Sequence, residues 1–277
     1  MHRTRQILAA TLLTAALAIP AHAGRGLTVK GSDTMVILGQ RWAEQYMNAH
    51  PGTVIQVTGG GSGTGIAALI NGTTEICMSS RPMKADEKRK LRDRYQTMGI
   101  EIPVAKDGLS IYLHASNPVK ELSFAQLRDI YTGAIGNWKQ LGGPDAQIVL
   151  YGRENSSGTY VYFKDVVLLG RDYSPRCQTL PGTAAVVNAV SKDPNGIGYG
   201  GAAYGKGIKE CAVKKDNGSP AVMPGAATVK DGSYPVTRDL YLYTRVKPAG
   251  QAKQFIDWVL SNEGQALATQ VGYFPVR

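Results

Sequence analysis

Residues 54–70 read VIQVTGGGSGTGIAALI, and they hold one complete structural unit. The β-branched run Val54–Val57 predicts a strand, and Gly59–Gly65 predicts a turn in which another group can approach the backbone. Ile66–Ile70 predicts a helix, which Asn71-Gly72 stops. The same order stands upstream. Leu27–Lys30 reads as a strand and Gly31-Ser32-Asp33-Thr34 as a turn. A helix follows, with Met35, Leu38, Trp42, Tyr46 and Ala49 at helical spacing, and Pro51-Gly52 ends it. It stands downstream again: strand Ile76–Ser79, turn Ser80-Arg81-Pro82, and a charged helix from Asp86 to Met98. Strand, hydroxyl-bearing turn and helix in repetition define an α/β class. Such sheets bind ligands beyond the carboxyl ends of their strands.

Outward from these units, Val104–His114 is a long extended stretch broken by Asp107-Gly108, and Arg238–Arg245 (RDLYLYTR) is a second. Between them lie a helix at Ser123–Tyr131, a strand at Ile148–Tyr151, the segment Arg153–Thr159 opening another helix, and the glycine-rich GIGYGG. If the chain crosses into a second domain at the first stretch and returns at the second, the domains are discontinuous. Residues 24–107 and 237–277 would form one lobe and 108–236 the other. Two extended crossings make a hinge that permits closure.

The N-terminus predicts a destination. Arg3 and Arg5 precede an apolar stretch from Ile7 to Ile19, and Ala21-His22-Ala23 offers small residues to a signal peptidase. A cleaved signal peptide over residues 1–23 is expected. Gly24 stands where a lipoprotein would carry Cys, so a soluble periplasmic protein is expected. The net charge of +10 favours anionic partners. Lysines and arginines are scattered, however. The run Lys84–Arg94 mixes in Asp86, Glu87 and Asp93, and it reads as a solvated helix face and not a nucleic-acid surface. Of the three cysteines, Cys77 reads as a buried strand residue. Cys177 and Cys211 lie in polar, loop-like sequence and are paired as a possible disulfide in an oxidising compartment. Neither CxxC nor HExxH occurs, and His50 and His114 stand alone, so no metal or cofactor is expected.

The residues that carry chemistry are hydroxyls, glycines and arginines at predicted helix starts: Ser32, Thr34, Ser62, Gly63, Ser80, Arg81, Arg153, Ser156, Ser157, Gly158 and Thr159. Helix N-termini offer free N–H groups and a partial positive charge, hydroxyls add adaptable donors, and a guanidinium matches two oxygens of an oxyanion. Each Ser or Thr taken alone is an ordinary helix cap. Arg81 taken alone is a salt-bridge residue, and Glu154 either holds Arg153 or faces solvent. Phosphate keeps a proton near neutral pH and sulfate does not, so a buried carboxylate that accepts that proton would discriminate between them. Asp107 is preferred for this role, with Asp33 as the alternative. Asp107 also reads as a turn residue before Gly108. Gly63–Ala68 matches a dinucleotide-type GxGxxA only weakly, because Glu87 falls on a charged helix. GxxxxGK[ST] is absent, and GxSxG fails at Thr64.

At these residues the chain resembles the phosphate-binding protein family of ABC transporters. The matching segments, in order, are GSDTM (31–35), GGGSGTGIAALINGT (59–73), SSRPMK (79–84), AKDGLSIYLH (105–114), LRDIYTGAIGNW (127–138), GRENSSGTY (152–160), NGIGYGG (195–201), RDLYLYT (238–244) and SNEGQALATQVGYFPV (261–276). The resemblance implies a two-lobe periplasmic binding protein (flytrap) fold with phosphate between the lobes. It implies a monomeric receptor, without enzyme activity, that serves an inner-membrane permease. Some members carry Asp at the third strand end where this chain has Ser80. Other expectations are receptors for sulfate, molybdate or tungstate, an envelope phosphate-binding protein without a permease, or a phosphate-handling enzyme.

Overall fold

The computed structural model describes residues 26–276, and the expected signal peptide lies outside them. Strand β1 (Leu27–Gly31) leads through a 3-10 turn, Asp33–Met35, into helix α1 (Val36–Ala49). Strand β2 (Ile55–Thr58) leads into α2 (Ser62–Asn71), and β3 (Ile76–Ser79) into α3 (Ala85–Tyr95). Next come β4 (Ile100–Leu113), β5 (Glu121–Ser123) and α4 (Phe124–Thr132). The chain continues through β6 (Val149–Arg153), α5 (Gly158–Val166), β7 (Gln178–Leu180), α6 (Gly182–Lys192), β8 (Gly196–Gly201), β9 (Lys209–Lys214) and α7 (Ala226–Lys230). It closes with β10 (Thr237–Thr244), α8 (Gly250–Val259) and α9 (Asn262–Val271).

Local signals explain these elements. In α1 the apolar positions Leu38, Trp42, Ala43 and Tyr46 are buried, and the Trp42 Nε1–H donates to the Gly264 carbonyl of α9 at 2.7 Å. In α4, Ser123 Oγ accepts the Gln126 N–H while Gln126 Oε1 accepts the Ser123 N–H. This reciprocal cap fixes where α4 begins and is worth about 1 kcal/mol.

Long-range pairing then sets the shape. The strand order is β2-β1-β3-β10-β4-β8-β6-β7, with β9 joined to β4 and β5. β1 is parallel to β2 and β3, so the helices that follow these strands start at one edge of the sheet. β4 does not break at Asp107-Gly108 as the sequence suggests. Its first part, Ile100–Gly108, pairs antiparallel with β10, and Leu109–Leu113 pairs with β8. One apolar cluster draws on Leu27–Met78, Val104, Ala105 and Leu240–Tyr273, and another on Leu109–Val236. The change-over falls inside β4 and just ahead of Leu240 on β10.

One expectation is corrected here. Cys177 and Cys211 are not bonded, and all three cysteines are free. Cys211 is not in a loop: it lies within β9 opposite Ile111 of β4, fully buried in the Leu109–Val236 cluster. Cys177 packs under Gly152 of β6. Burial pushes both thiols up to about 12, so neither is a reactive thiolate near neutral pH. Cys77 is a buried residue of β3, as expected.

Candidate functional site

The turns after β1, β2 and β3 meet the turn between β6 and α5. Ser32, Thr34, Ser62, Ser80, Ser157 and Thr159 are all buried. Ser32 Oγ donates to Ser80 Oγ at 2.9 Å, Ser62 Oγ lies 3.3 Å from Ser80 Oγ, and the Ser80 N–H donates to Ser62 Oγ at 3.0 Å. Thr34 Oγ1 and Thr159 Oγ1 are 2.8 Å apart although 125 positions separate them in sequence. The Gly63 N–H donates to the Ser156 carbonyl at 2.8 Å. Four separate turns thus bring their hydroxyls to one place.

Glycine makes this approach possible. Gly61 has φ +92°, and a Cβ there would sit 2.6 Å from the Ser156 oxygen. A Cβ on Gly158 would fall 2.3 Å from Ser62 Oγ and 2.6 Å from Ser80 Oγ. The backbone of the β6–α5 turn therefore lies directly against the serine hydroxyls. Between the adjacent serines, the structure divides the work. Ser157 Oγ caps α5 by accepting from the Thr159 and Tyr160 N–H groups, which leaves its own proton to give. Ser156 makes its contact through the main chain.

All three arginines around the cluster are ion-paired. Arg153 Nη2 pairs with Asp33 Oδ2 at 2.8 Å, Nη1 donates to Thr183 Oγ1 at 2.9 Å, and Nε pairs with Glu154 at 3.2 Å. Glu154 thus holds Arg153. Asp33 is more than a helix-entry residue, because its other oxygen accepts the Gly60 N–H at 2.7 Å. Arg81 turns its fork onto Glu87 of α3, at 2.7 and 2.8 Å, which removes Glu87 from any dinucleotide role and leaves Arg81 without a bond to the serine cluster. The third arginine, Arg238 of β10, is absent from the sequence-derived set. It stands opposite Asp107 in the ladder and pairs with Asp107 Oδ2 through both Nε (3.0 Å) and Nη2 (2.7 Å). The signal for it was present: Arg238 is in phase with the buried Leu240 and Leu242, so a charge occupies an inward-facing position.

Asp107 is fully buried. Burial pushes its carboxyl up, while the charge and hydrogen bonds of Arg238 pull it back. Its Oδ2 is filled by Arg238, so it reaches the hydroxyl cluster through that guanidinium. Charge-paired arginines leave the site close to neutral. Its attraction for an oxyanion then comes from hydroxyl protons, N–H groups, the Arg153 Nη hydrogens not spent on Asp33 and Thr183, and the N-termini of α2 and α5. Among the described residues no His, Cys, Asp and Glu cluster has the make-up of a metal site, and no helix is long and apolar enough to cross a membrane.

Fold and site define the class first: a two-lobe binding protein with the periplasmic binding protein fold. A family model described as a PBP superfamily domain matches residues 18–263. The chain is 35% identical to a phosphate-binding protein PstS of Pseudomonas aeruginosa, over 90% of this chain and 83% of that one. It is 33% identical to a phosphate-binding protein PstS of Bacillus subtilis, over 92% and 82%. Among solved structures it is similar to a chain from Clostridium perfringens, described as a phosphate ABC transporter substrate-binding protein with bound phosphate. That likeness has a TM-score of 0.82 and 31% identity, over 91% of this chain and 100% of the other. An ABC-type phosphate transport receptor from Vibrio cholerae gives a TM-score of 0.72 and 28% identity, over 90% and 99%. The chain belongs to the PBP superfamily and, within it, to the phosphate-binding protein PstS family.

Proposed function

We propose that this chain binds inorganic phosphate outside the cytoplasm, closing two lobes over the anion, and hands it to an ABC-transporter permease. The observation that carries the reading is the meeting of Ser32, Thr34, Ser62 and Ser80 with Gly158 and Thr159, a set of donors drawn from turns far apart in sequence. The relatives' names supply the anion. Ser32, Thr34, Ser62, Gly63, Ser80, Ser157, Gly158 and Thr159 form the donor set, with Ser156 contributing main chain. Arg153 supplies the guanidinium, Arg81 supports the third turn through Glu87, and Asp33 and Asp107 put negative charge beside the cluster. That charge penalises a fully ionised anion with no proton to share, which favours phosphate over sulfate.

The lobes in this reading are residues 24–107 with 237–277, and residues 108–236. The change of apolar cluster within β4 and ahead of Leu240 supports that division. Domain closure would run through β4 and β10. The protein acts as a monomeric periplasmic receptor released from a signal peptide and not as an enzyme. The absence of turnover is supported by its relatives being substrate-binding proteins. Denaturing untreated purified protein and assaying the supernatant tests the reading. One phosphate released per chain is expected. No phosphate released, together with no binding after dialysis, would refute it.

A further inference from the structure

We propose that Arg238 is the positioning residue of this site, fixing the direction in which the Thr34 and Thr159 hydroxyls point their protons. The inference deepens the phosphate reading and rests on it. Arg238 lies on the returning strand β10 with only 5% of its surface exposed. Its Nη1 donates to the Ser80 carbonyl at 3.2 Å, and Nη2 donates to Thr159 Oγ1 at 3.0 Å and reaches Thr34 Oγ1 at 3.4 Å. Asp107 Oδ2 anchors Nε and Nη2 from behind, and the Tyr162 ring lies under the guanidinium at 5.4 Å. A single side chain therefore touches the third turn, the first turn and the start of α5.

Hydrogen-bond bookkeeping gives this contact a consequence. A guanidinium only donates, whereas a hydroxyl has one proton and two lone pairs. Thr34 and Thr159 share one hydrogen bond with each other. If Thr34 is its donor, Thr159 Oγ1 accepts twice, from Thr34 and from Arg238, and its own proton must leave the pair. If Thr159 is its donor, Thr34 Oγ1 accepts from Thr159 and, at longer range, from Arg238, and its proton is left over. In both cases one O–H remains as a donor on an oxygen whose lone pairs are engaged. At that oxygen the site then accepts an unprotonated phosphate oxygen and has no lone pair to offer a P–OH. Without Arg238 the same hydroxyls can reverse and accept from P–OH. Arg238 thereby selects the protonation state and orientation of the bound anion without touching it.

The test is a double-mutant cycle on the full mature chain, read by calorimetric titration with inorganic phosphate. Arg238→Lys keeps the charge beside Asp107 but cannot span Ser80 and Thr159. It should weaken phosphate by about tenfold or more, the range of a charge-assisted bond. In a Thr159→Val background the same substitution should cost less than about twofold, since coupled residues are not additive. Arg238→Lys should also flatten the rise of phosphate affinity between roughly pH 6 and pH 8, because the reversed hydroxyls accept the more protonated anion. Equal losses in both backgrounds, or wild-type affinity with an unchanged pH profile, would overturn the inference while leaving phosphate binding intact. Failure of the wild-type chain to bind phosphate would sink the functional reading instead. If Arg238→Lys does not fold, the Asp107→Asn and Thr159→Val cycle decides by the same criterion.

Discussion

Gly158→Ala adds one methyl group at the point where the two lobes of the proposed site meet. The added Cβ would lie 2.3 Å from Ser62 Oγ, 2.6 Å from Ser80 Oγ and 3.0 Å from Ser62 Cβ. The hydroxyls have little freedom to yield, since Ser80 Oγ accepts from Ser32 and Ser62 Oγ accepts the Ser80 N–H. Relief requires the α5 start to withdraw by about 1 Å. Overpacking of this kind costs ~1–3 kcal/mol. The cost falls on the closed form, because in an open form Gly158 and the serines separate. At ~1.4 kcal/mol per tenfold, phosphate affinity should drop about 5- to 150-fold. Alanine suits the first turn of a helix at least as well as glycine, so the phosphate-free melting temperature should not fall. Calorimetric titration and a phosphate-free thermal melt are the two measurements. Wild-type affinity would refute the reasoning, and so would a stability loss without phosphate as large as the binding loss.

Other outcomes follow from the same contacts. Arg153→Ala leaves Asp33 without its partner and the anion without its fork. A loss of ~2–5 kcal/mol in phosphate binding, about thirtyfold or more, is expected by titration, and near-wild-type affinity would remove Arg153 from the site. Alkylation under denaturing, non-reducing conditions should label three cysteines, whereas one label would show that Cys177 and Cys211 are bonded after all. Glu210 is held above the ordinary carboxylate range by burial, and its Oε1 has no hydrogen-bond partner. An acid whose pKa is raised on folding stabilises below its unfolded value and loses that contribution as pH rises through the folded one. Glu210→Gln should therefore flatten the decline in melting temperature as pH rises above about 4, the ordinary Glu value. A decline as steep as in the wild type would clear Glu210 of that role.

Much of the fold was legible because its signals are local. Glycine turns marked β1 and β2, Ser80-Arg81-Pro82 marked the end of β3, and the helix expected over Ser123–Tyr131 fell within a residue of α4. The hydroxyl cluster was legible for the same reason, since helix starts advertise Ser and Thr. Partners across the ladder were not. Arg238 and Asp107 are 131 positions apart, and only the β4–β10 register brings them face to face. Asp33 looked like a turn residue because its partner Arg153 arrives from 120 positions away. Cys211 was misread because KECAVK groups Cys-Ala-Val between charged residues with no alternation, so its strand carried no period-2 signal. Arg81 was half-read: it sits at the right strand end, but Glu87 six positions on captures its fork.

The central claim is that the Asp33 and Asp107 carboxylates beside the oriented hydroxyl cluster select phosphate over a fully ionised anion. Competition titration of the purified mature chain, with phosphate bound and sulfate added in large excess near neutral pH, tests it most directly. Sulfate should fail to displace phosphate; displacement at comparable concentration would contradict the account.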